Sequence, residues 1–442
     1  MISMICPLEF RYGREEMKAL FTEERKLQYL LDVESALAQA HAHYGNISKK
    51  DAETISKKAS LKFVKLERVK EIEKETKHDI MALVKALSEQ CGKGGRAVHL
   101  GATSYDIVDT ANALQLKEAL KIIEKDLTEL RNSLIKLANK HKSTIMLGRT
   151  HGQAALPITL GLKIIVFATE VQRHLDRLKE CEKRAVVGKL SGAVGSGAGL
   201  GEKALEIQDF VMRKLGLGIE QASTQIVQRD RYIEVISLLA NIATSLEKFA
   251  TEIRNLQRSE IMEVAEAFGK RQIGSSTMAQ KRNPITCEKI CGLARIVRTF
   301  IIPCFESAIQ WHERDLTNSS AERFIIPHSF ILTDEILKDC IDVFDNLLVF
   351  PDRMRKNLEE HPEIMSEALT LALVKKGLPR FDAYEELRKC SLEKDFKKAV
   401  MKSKKIRSLL SQKELDELLK FENYLGASEK IILNCTKYLL AQ

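Results

Sequence analysis

Proline is scarce in this chain, at 8 residues of 442, and aromatic residues make up only 6%, with a single tryptophan. A sequence short of proline and of β-favouring aromatics, but well supplied with Leu, Ile, Ala, Lys and Glu, is biased toward helix over strand. Scarce proline excludes collagen-like and mucin-like classes, and a hydrophobic content of 44% excludes intrinsic disorder. No run of about 18 apolar residues occurs, so no segment is expected to span a bilayer. Residues 1–10 show no basic segment followed by an apolar stretch, so no secretion signal is expected. No Cys-x-x-Cys pair is present. Cys287 and Cys291 lie one helical turn apart, but no nearby histidine completes a metal set. The nine cysteines are therefore read as reduced, mostly buried thiols of a cytoplasmic protein. A Walker-type phosphate loop and a Gly-x-Ser-x-Gly elbow are both missing. Gly192–Gly201 is glycine-rich, but no strand is predicted before it, which disfavours a dinucleotide fold.

The length allows two or three domains and a large core. The net charge, 70 − 61 = +9, is a mild excess. It suits an anionic small molecule, a nucleic acid or a membrane surface, or equally a lysine-rich exterior with no particular partner.

Long segments lack both Gly and Pro. From Ala102 to Leu147, the residues Leu116, Leu120, Ile123, Leu127, Leu130, Leu134 and Leu137 recur in steps of four and three. That heptad stripe predicts a long bundled helix. Val235, Leu239, Ile242, Leu246, Phe249, Ile253 and Leu256 repeat the rhythm. Leu160, Ile164, Phe167 and Val171 begin a third stripe, and Leu337, Ile341, Phe344 and Leu348 mark another. Apolar pairs such as Val235-Ile236 and Leu238-Leu239 predict burial on more than one face, hence association between subunits. The expected fold is all-α with three helical domains: an N-terminal one over 1–104, a central long-helix bundle over 105–350 and a C-terminal one over 351–442.

Polar or glycine-rich breaks interrupt these helices at His99–Asp106, Gly148–Pro157, Gly188–Gly201 and Gly269–Pro284. Helix ends bring unpaired N–H groups that suit anions. The last break joins flexible glycines, Ser275, Ser276 and four cations, a composition that can close over a carboxylate or phosphate or simply be a solvated loop. Gly148-Arg-Thr-His-Gly-Gln153 carries a histidine, a group able to exchange a proton near neutral pH or to serve as a structural hydrogen-bonder. In Gly101–Asp106, Thr103 or Ser104 would cap the longest helix, and the same hydroxyls and amides suit an anion. Lys77-His78-Asp79 reads as a charge cluster in which the histidine can bridge cation and carboxylate. Trp311–Arg323 holds Arg314 and Arg323, a pair suited to bidentate binding of carboxylate or phosphate, or to a salt-bridged helix start.

Together these segments resemble the fumarase/aspartase superfamily of lyases. Gly274-Ser-Ser-Thr-Met-Ala-Gln-Lys-Arg-Asn-Pro284 is similar to its signature, Gly-Ser-Ser-x-Met-x-x-Lys-x-Asn-Pro. Within the superfamily the chain resembles the adenylosuccinate lyase family, through Arg11-Tyr12, Lys77-His78-Asp79, Thr103-Ser104, Thr150-His151-Gly-Gln, Thr224-Gln225 and Trp311–Arg323. Ser366-Glu367 and Ala383-Tyr384 extend the likeness over nearly the whole chain. One departure is Met278-Ala279-Gln280-Lys281, where that family usually reads Met-Pro-His-Lys. Losing the proline, which fixes its own φ, is expected to alter loop kinetics rather than abolish activity.

The resemblance implies an all-helical homotetramer whose active sites each draw on three subunits. It implies β-elimination of fumarate from a succinylated purine nucleotide, with Ser275 as base, His151 as acid, and Lys281 and Asn283 on the succinyl carboxylate and carbanion. Glu288 would orient the histidine, and Ser276 would share the work of Ser275. Arg11, Tyr12, Arg314, Ser319 and Arg323 would bind the nucleotide, while Thr103, Ser104 and Gln225 would contact the succinyl part. Lys77, His78 and Asp79 would line the site. No metal or organic cofactor is implied, because the substrate's own carboxylate is the electron sink. The expected partner is a small-molecule nucleotide, with no nucleic acid and no membrane. The rivals are a sister lyase of the argininosuccinate lyase or carboxymuconate cycloisomerase type, and a non-catalytic helical binding protein. Arg11-Tyr12 and Trp311–Arg323 speak against the first. Interspersed charges and the lack of a recognised nucleic-acid module speak against the second.

Overall fold

The computed structural model describes residues 5–268, 277–278 and 280–442. Ser275 and Ser276 lie outside the described residues. The chain is predominantly helical. The elements that position the site are α1 (Glu23–His43), α2 (Asp79–Cys91), α3 (Ser104–Lys140), β1 (Ile145–Thr150), β2 (Gln153–Thr159), α4 (Leu160–Ala185), α5 (Asp230–Leu256), α6 (Ile285–Thr299) and α7 (Thr317–Asp345). Among the described residues the strands form three two-stranded sheets. Among the described residues, no helix is long and apolar enough to cross a membrane.

The predicted stripes become the core. The seven named apolar residues of α3 and the seven of α5 are all buried, as are Leu160, Ile164, Phe167 and Val171 of α4. Leu337, Ile341 and Phe344 of α7 are buried as well, but Leu348 is 38% exposed. It falls after α7 ends, in a short strand that pairs with Val264-Ala265. Val235, Ile236, Leu238 and Leu239 are buried within the single chain, so these pairs are accounted for without a second copy. The nine cysteines are free thiols, seven of them buried.

The chain groups into two compact units. The first contains Met1–Leu127, Arg173–Leu246 and Cys291–Lys338; the second contains Thr128–Gln172, Glu247–Ile290 and Asp339–Gln442. In the second, Phe167, Phe249 and Phe344 bring α4, α5 and α7 together, with the Phe167 and Phe249 rings stacked at 4.3 Å. The C-terminal helices of that unit pack around Leu358, Met365, Leu369, Leu387 and Val400, and Leu147 of β1 joins this core.

The break at 148–157 is not a plain loop between helices. β1 and β2 form an antiparallel hairpin whose register runs from Ile145↔Thr159 to Thr150↔Gln153. Apolar runs, Ile145-Met-Leu147 and Ala154-Ala-Leu156, flank a two-residue turn and favour pairing, and Pro157 is tolerated because a two-stranded ribbon leaves an edge.

Candidate active site

In the second unit the hairpin turn consists of His151 and Gly152. Both have positive φ, +54° and +75°. A two-residue turn that follows the strands' twist needs this at both positions, which glycine accepts freely and histidine only with strain. The turn holds the His151 side chain out from the hairpin, exposed. Beneath it, Arg149 grips the buried Glu263 carboxylate in bidentate fashion, at 2.8 and 3.0 Å. Asn357 donates to the same carboxylate at 2.9 Å. The hairpin is thus tied to the segment that follows α5.

That segment leads into the 269–284 break, and two buried side chains hold its flanks. Glu266 accepts from the Thr286 and Cys287 amides at 3.1 and 2.6 Å and so caps α6, the helix that carries Glu288. Gln257 accepts from the Glu266 amide at 2.9 Å and donates to the Arg282 carbonyl at 3.1 Å. Lys281 and Glu288 are exposed and Asn283 is half-buried. Among the described residues, no hydrogen bond or ion pair joins Glu288 to His151.

The first unit gathers most of the remaining candidates. A cavity of about 420 Å³ is lined by residues that include Lys26, Asp79, Tyr105, Ser319, Glu322 and Arg323. An Arg323 guanidinium nitrogen lies 3.9 Å from the Asp79 carboxylate. The Arg314 guanidinium carbon lies over the Tyr105 ring, 3.4 Å from its centroid, and Arg314 donates to the Gln225 side chain at 2.8 Å. The Arg314 Nε is buried with no acceptor among the described residues. Burial pushes the Tyr105 hydroxyl up, while a hydrogen bond with Ser319 and the Arg314 charge act the other way. Burial, and then the Arg323 charge, push the Lys26 ammonium down.

The two neighbouring motifs have structural duties. Lys77 takes the left-handed conformation, φ +55°, that closes the helix before α2. His78 caps α2, its Nδ1 accepting from the Met81 amide at 3.3 Å. Thr103 stands at the cap position of α3, where its amide donates to the Asp106 carboxylate at 2.8 Å. Ser104 opens the helix, half-buried. Arg11 is exposed and Tyr12 half-buried, following a short helix over Pro7–Phe10.

The start of α7 is set by Arg229. Its guanidinium is buried between Asp109, at 2.9 and 3.0 Å, and Glu322, at 2.7 Å. Glu322 stands one residue before Arg323, so this pairing fixes the turn that carries both Ser319 and Arg323. Breaking one partner of such a buried set leaves an uncompensated charge.

A family model described as Lyase matches residues 9–298, and one described as Adenylosuccinate lyase C-terminus matches residues 362–434. The chain is 51% identical over 441 residues to a protein named adenylosuccinate lyase from Pyrococcus horikoshii, covering 98% of each. Among solved structures it is similar to a fumarate lyase from Mesorhizobium sp. BNC1, at 32% identity and a TM-score of 0.88, covering 96% of this chain and 98% of that one. It is also similar to the 3-carboxy-cis,cis-muconate lactonizing enzyme of Pseudomonas putida, at 31% identity and the same TM-score, covering 97% and 98%. The helical scaffold, the signature break and the near full-length identity lead to one conclusion: the chain is a lyase of the adenylosuccinate lyase family.

Proposed function

We propose that the protein cleaves the C–N bond of adenylosuccinate by β-elimination, giving AMP and fumarate. By the same reaction it would act on the succinyl-aminoimidazole carboxamide ribotide of purine biosynthesis. The observation that carries this reading is Arg314: a guanidinium laid on Tyr105, tied to Gln225, with a buried Nε that has no acceptor among the described residues. A buried donor in that state costs about 1–3 kcal/mol unless an acceptor meets it, and a guanidinium favours an anionic one. Arg323 and Lys26 line a cavity that also takes in Tyr105, and they add cationic charge for a phosphate or carboxylate.

In the elimination, Ser275 takes the proton beside a succinyl carboxylate. The released electron pair forms the double bond of fumarate. The C–N pair leaves on nitrogen, which His151 protonates. A serine alkoxide is unfavourable in water. Exclusion of solvent, nearby N–H groups and Lys281 would stabilise it, with Lys281 and Asn283 also meeting the developing carbanion. Glu288 would orient His151, and since no bond joins the two among the described residues, they would meet across subunits. Arg11 and Tyr12 would add to the phosphate contacts of Arg314, Ser319 and Arg323. His78, engaged through Nδ1, would offer Nε2 to the substrate or the acid, between Lys77 and Asp79. Thr103, Ser104 and Gln225 would receive the succinyl carboxylates, with Ser276 beside Ser275.

A homotetramer follows from the same reading. Segment 296–324 carries Ile296, Ile302, Phe305, Ile309, Trp311, Leu316 and Phe324 in exposed positions, far more apolar surface than isolated surface residues supply. Free thiols suit a cytoplasmic setting. Sedimentation should give about four times the 50.0 kDa chain mass.

The test is fumarate release from adenylosuccinate by purified protein, with Ser275→Ala beside it. Release by the parent alone supports the lyase and the base. Release by both moves the base elsewhere, Ser276 first. Turnover of carboxymuconate or argininosuccinate instead, without competition by AMP, would favour a sister lyase.

A further inference from the structure

The glycine-rich segment 188–201 has no part in the reaction as assigned, yet it contains Lys189, one of the largest fully buried side chains among the described residues. Lys189 and Asp106 are both 0% exposed and form an ion pair at 2.6 Å. Placing two charges in the interior is expensive and is often no gain over an apolar pair, so stability alone explains the arrangement poorly.

What the pair touches is informative. The Lys189 ammonium also donates to the backbone carbonyl of Gln225 at 2.8 Å. The Asp106 carboxylate accepts from the Thr103 amide at 2.8 Å, from the Ser191 amide at 3.0 Å and from the Gly192 amide at 3.1 Å. The Lys189 amide and carbonyl are both bonded to the Thr110 hydroxyl, at 3.1 and 3.0 Å, which fixes the strand-like segment to α3. One buried pair therefore joins three separate stretches of chain: the Thr103-Ser104 turn, the 188–192 segment and the Thr224-Gln225 segment. Gly101 sits in the same junction, with φ +70° and an added Cβ only 2.4 Å from the Gly199 carbonyl, so the two loops meet backbone to backbone.

We propose that Lys189, with Asp106, is a positioning residue that sets the spacing between Thr103-Ser104 and Gln225, and so defines the half of the site that receives the succinyl carboxylates. The inference rests on the lyase reading above, which gives those three residues their substrate contacts. The pair acts on binding geometry without touching substrate. A misplacement near 1 Å at such a subsite is enough for about 100-fold.

The experiment compares the parent, Lys189→Met and the double variant Lys189→Met with Asp106→Asn. The double variant removes both charges and so avoids stranding one inside. For each, KM for adenylosuccinate, product inhibition by fumarate, inhibition by AMP and thermal midpoint are measured. In a folded variant, fumarate inhibition and KM should weaken by about 10-fold or more, with AMP inhibition weakening several-fold less, because the pair reaches Arg314 one step further on, through the Gln225 side chain. A purely structural role would lower the thermal midpoint and shift the two inhibitors alike. Equal weakening of fumarate and AMP, unchanged fumarate inhibition, or loss of fold in both variants would each overturn the proposal. A parent that releases no fumarate from adenylosuccinate would overturn the lyase reading itself, which the variants do not address.

Discussion

The Arg314 guanidinium lies 3.4 Å from the centroid of the Tyr105 ring. Tyr105 is the second residue of α3 and Arg314 precedes α7, so within the first unit the contact joins the N-terminal ends of two long helices. A guanidinium stacked on an aromatic face keeps its edge nitrogens free for planar partners. One of them meets Gln225.

Replacing Tyr105 by Leu should therefore weaken AMP inhibition by about 3-fold to 30-fold, the range of a cation–π contact that is partly desolvated. Tyr105→Phe keeps the ring face and should stay near the parent, apart from the lost hydroxyl contact with Ser319. AMP inhibition constants measure both. A Leu variant that binds AMP as the parent does would remove this contact from the nucleotide site.

Glu266 and Gln257 lead to a different expectation. Glu266→Ala strands the Thr286 and Cys287 amides at the start of α6, at a cost of about 1–2 kcal/mol. Because α6 follows directly on Lys281 and Asn283, turnover should fall further than stability explains. AMP inhibition should hold, since the residues proposed to bind the nucleotide belong to the other unit. Gln257→Ala frees the Arg282 carbonyl and should act the same way, more weakly. Stopped-flow turnover with parallel melting curves tests this. A fall in kcat and in AMP affinity together would show general disruption instead.

These residues also mark how far the sequence could be read. The heptad stripes of α3 and α5 were legible because a 3.6-residue period fixes which side chains face inward, whatever they face. The hairpin was not, because strands of six and seven residues broken by Gly148 and Pro157 look like an interrupted loop. Of the candidate residues in the first unit, Asp79, Ser319 and Arg323 line one cavity and Gln225 meets Arg314, but Lys26 of that cavity sits in the run Glu23-Glu-Arg-Lys26 and reads as ordinary surface charge. Lys189, Arg229, Glu263 and Glu266 went unnoticed for another reason. Their partners are distant in sequence, and only a faint local sign exists: a single charge inside an apolar stretch, as in Val186-Val-Gly-Lys-Leu190 or Ile261-Met-Glu-Val-Ala265. Such a charge is tolerable only with a buried partner, which is a usable rule for finding positioning residues.

His99 gives a pH prediction. Burial disfavours its charge, but the Glu34 carboxylate, 2.6 Å from Nδ1, more than offsets that and raises its pKa above the ordinary histidine value. A histidine whose folded pKa is raised contributes stability that is complete below its unfolded pKa, near 6.5, and is lost as pH rises through the folded value. His99 has φ +62°, which asparagine tolerates. His99→Asn should thus cost about 1–3 kcal/mol near pH 5.5 and clearly less near pH 9. Urea melts at the two pH values decide it. A cost that is the same at both would mean that the histidine is not charged against Glu34.

Gly152 tests whether the aim of His151 matters. Its φ is +75°, and an added Cβ would meet nothing within 4 Å. A substitution there carries backbone strain and no clash, about 1–2 kcal/mol for a residue with a Cβ. Gly152→Val, with the branched side chain least tolerant of that region, should force the two-residue turn to rearrange while Arg149 and Glu263 continue to hold the hairpin's base. If His151 delivers the proton to the leaving nitrogen, kcat should drop by about 10-fold to 100-fold, since proton transfer requires hydrogen-bond reach. AMP inhibition should stay within about 2-fold, because the residues read as holding the nucleotide belong to other segments. Gly152→Asn, which accepts positive φ, should recover most of the loss. Full activity in the Val variant would mean that the turn has slack and that His151 is aimed by its partners across the active site instead.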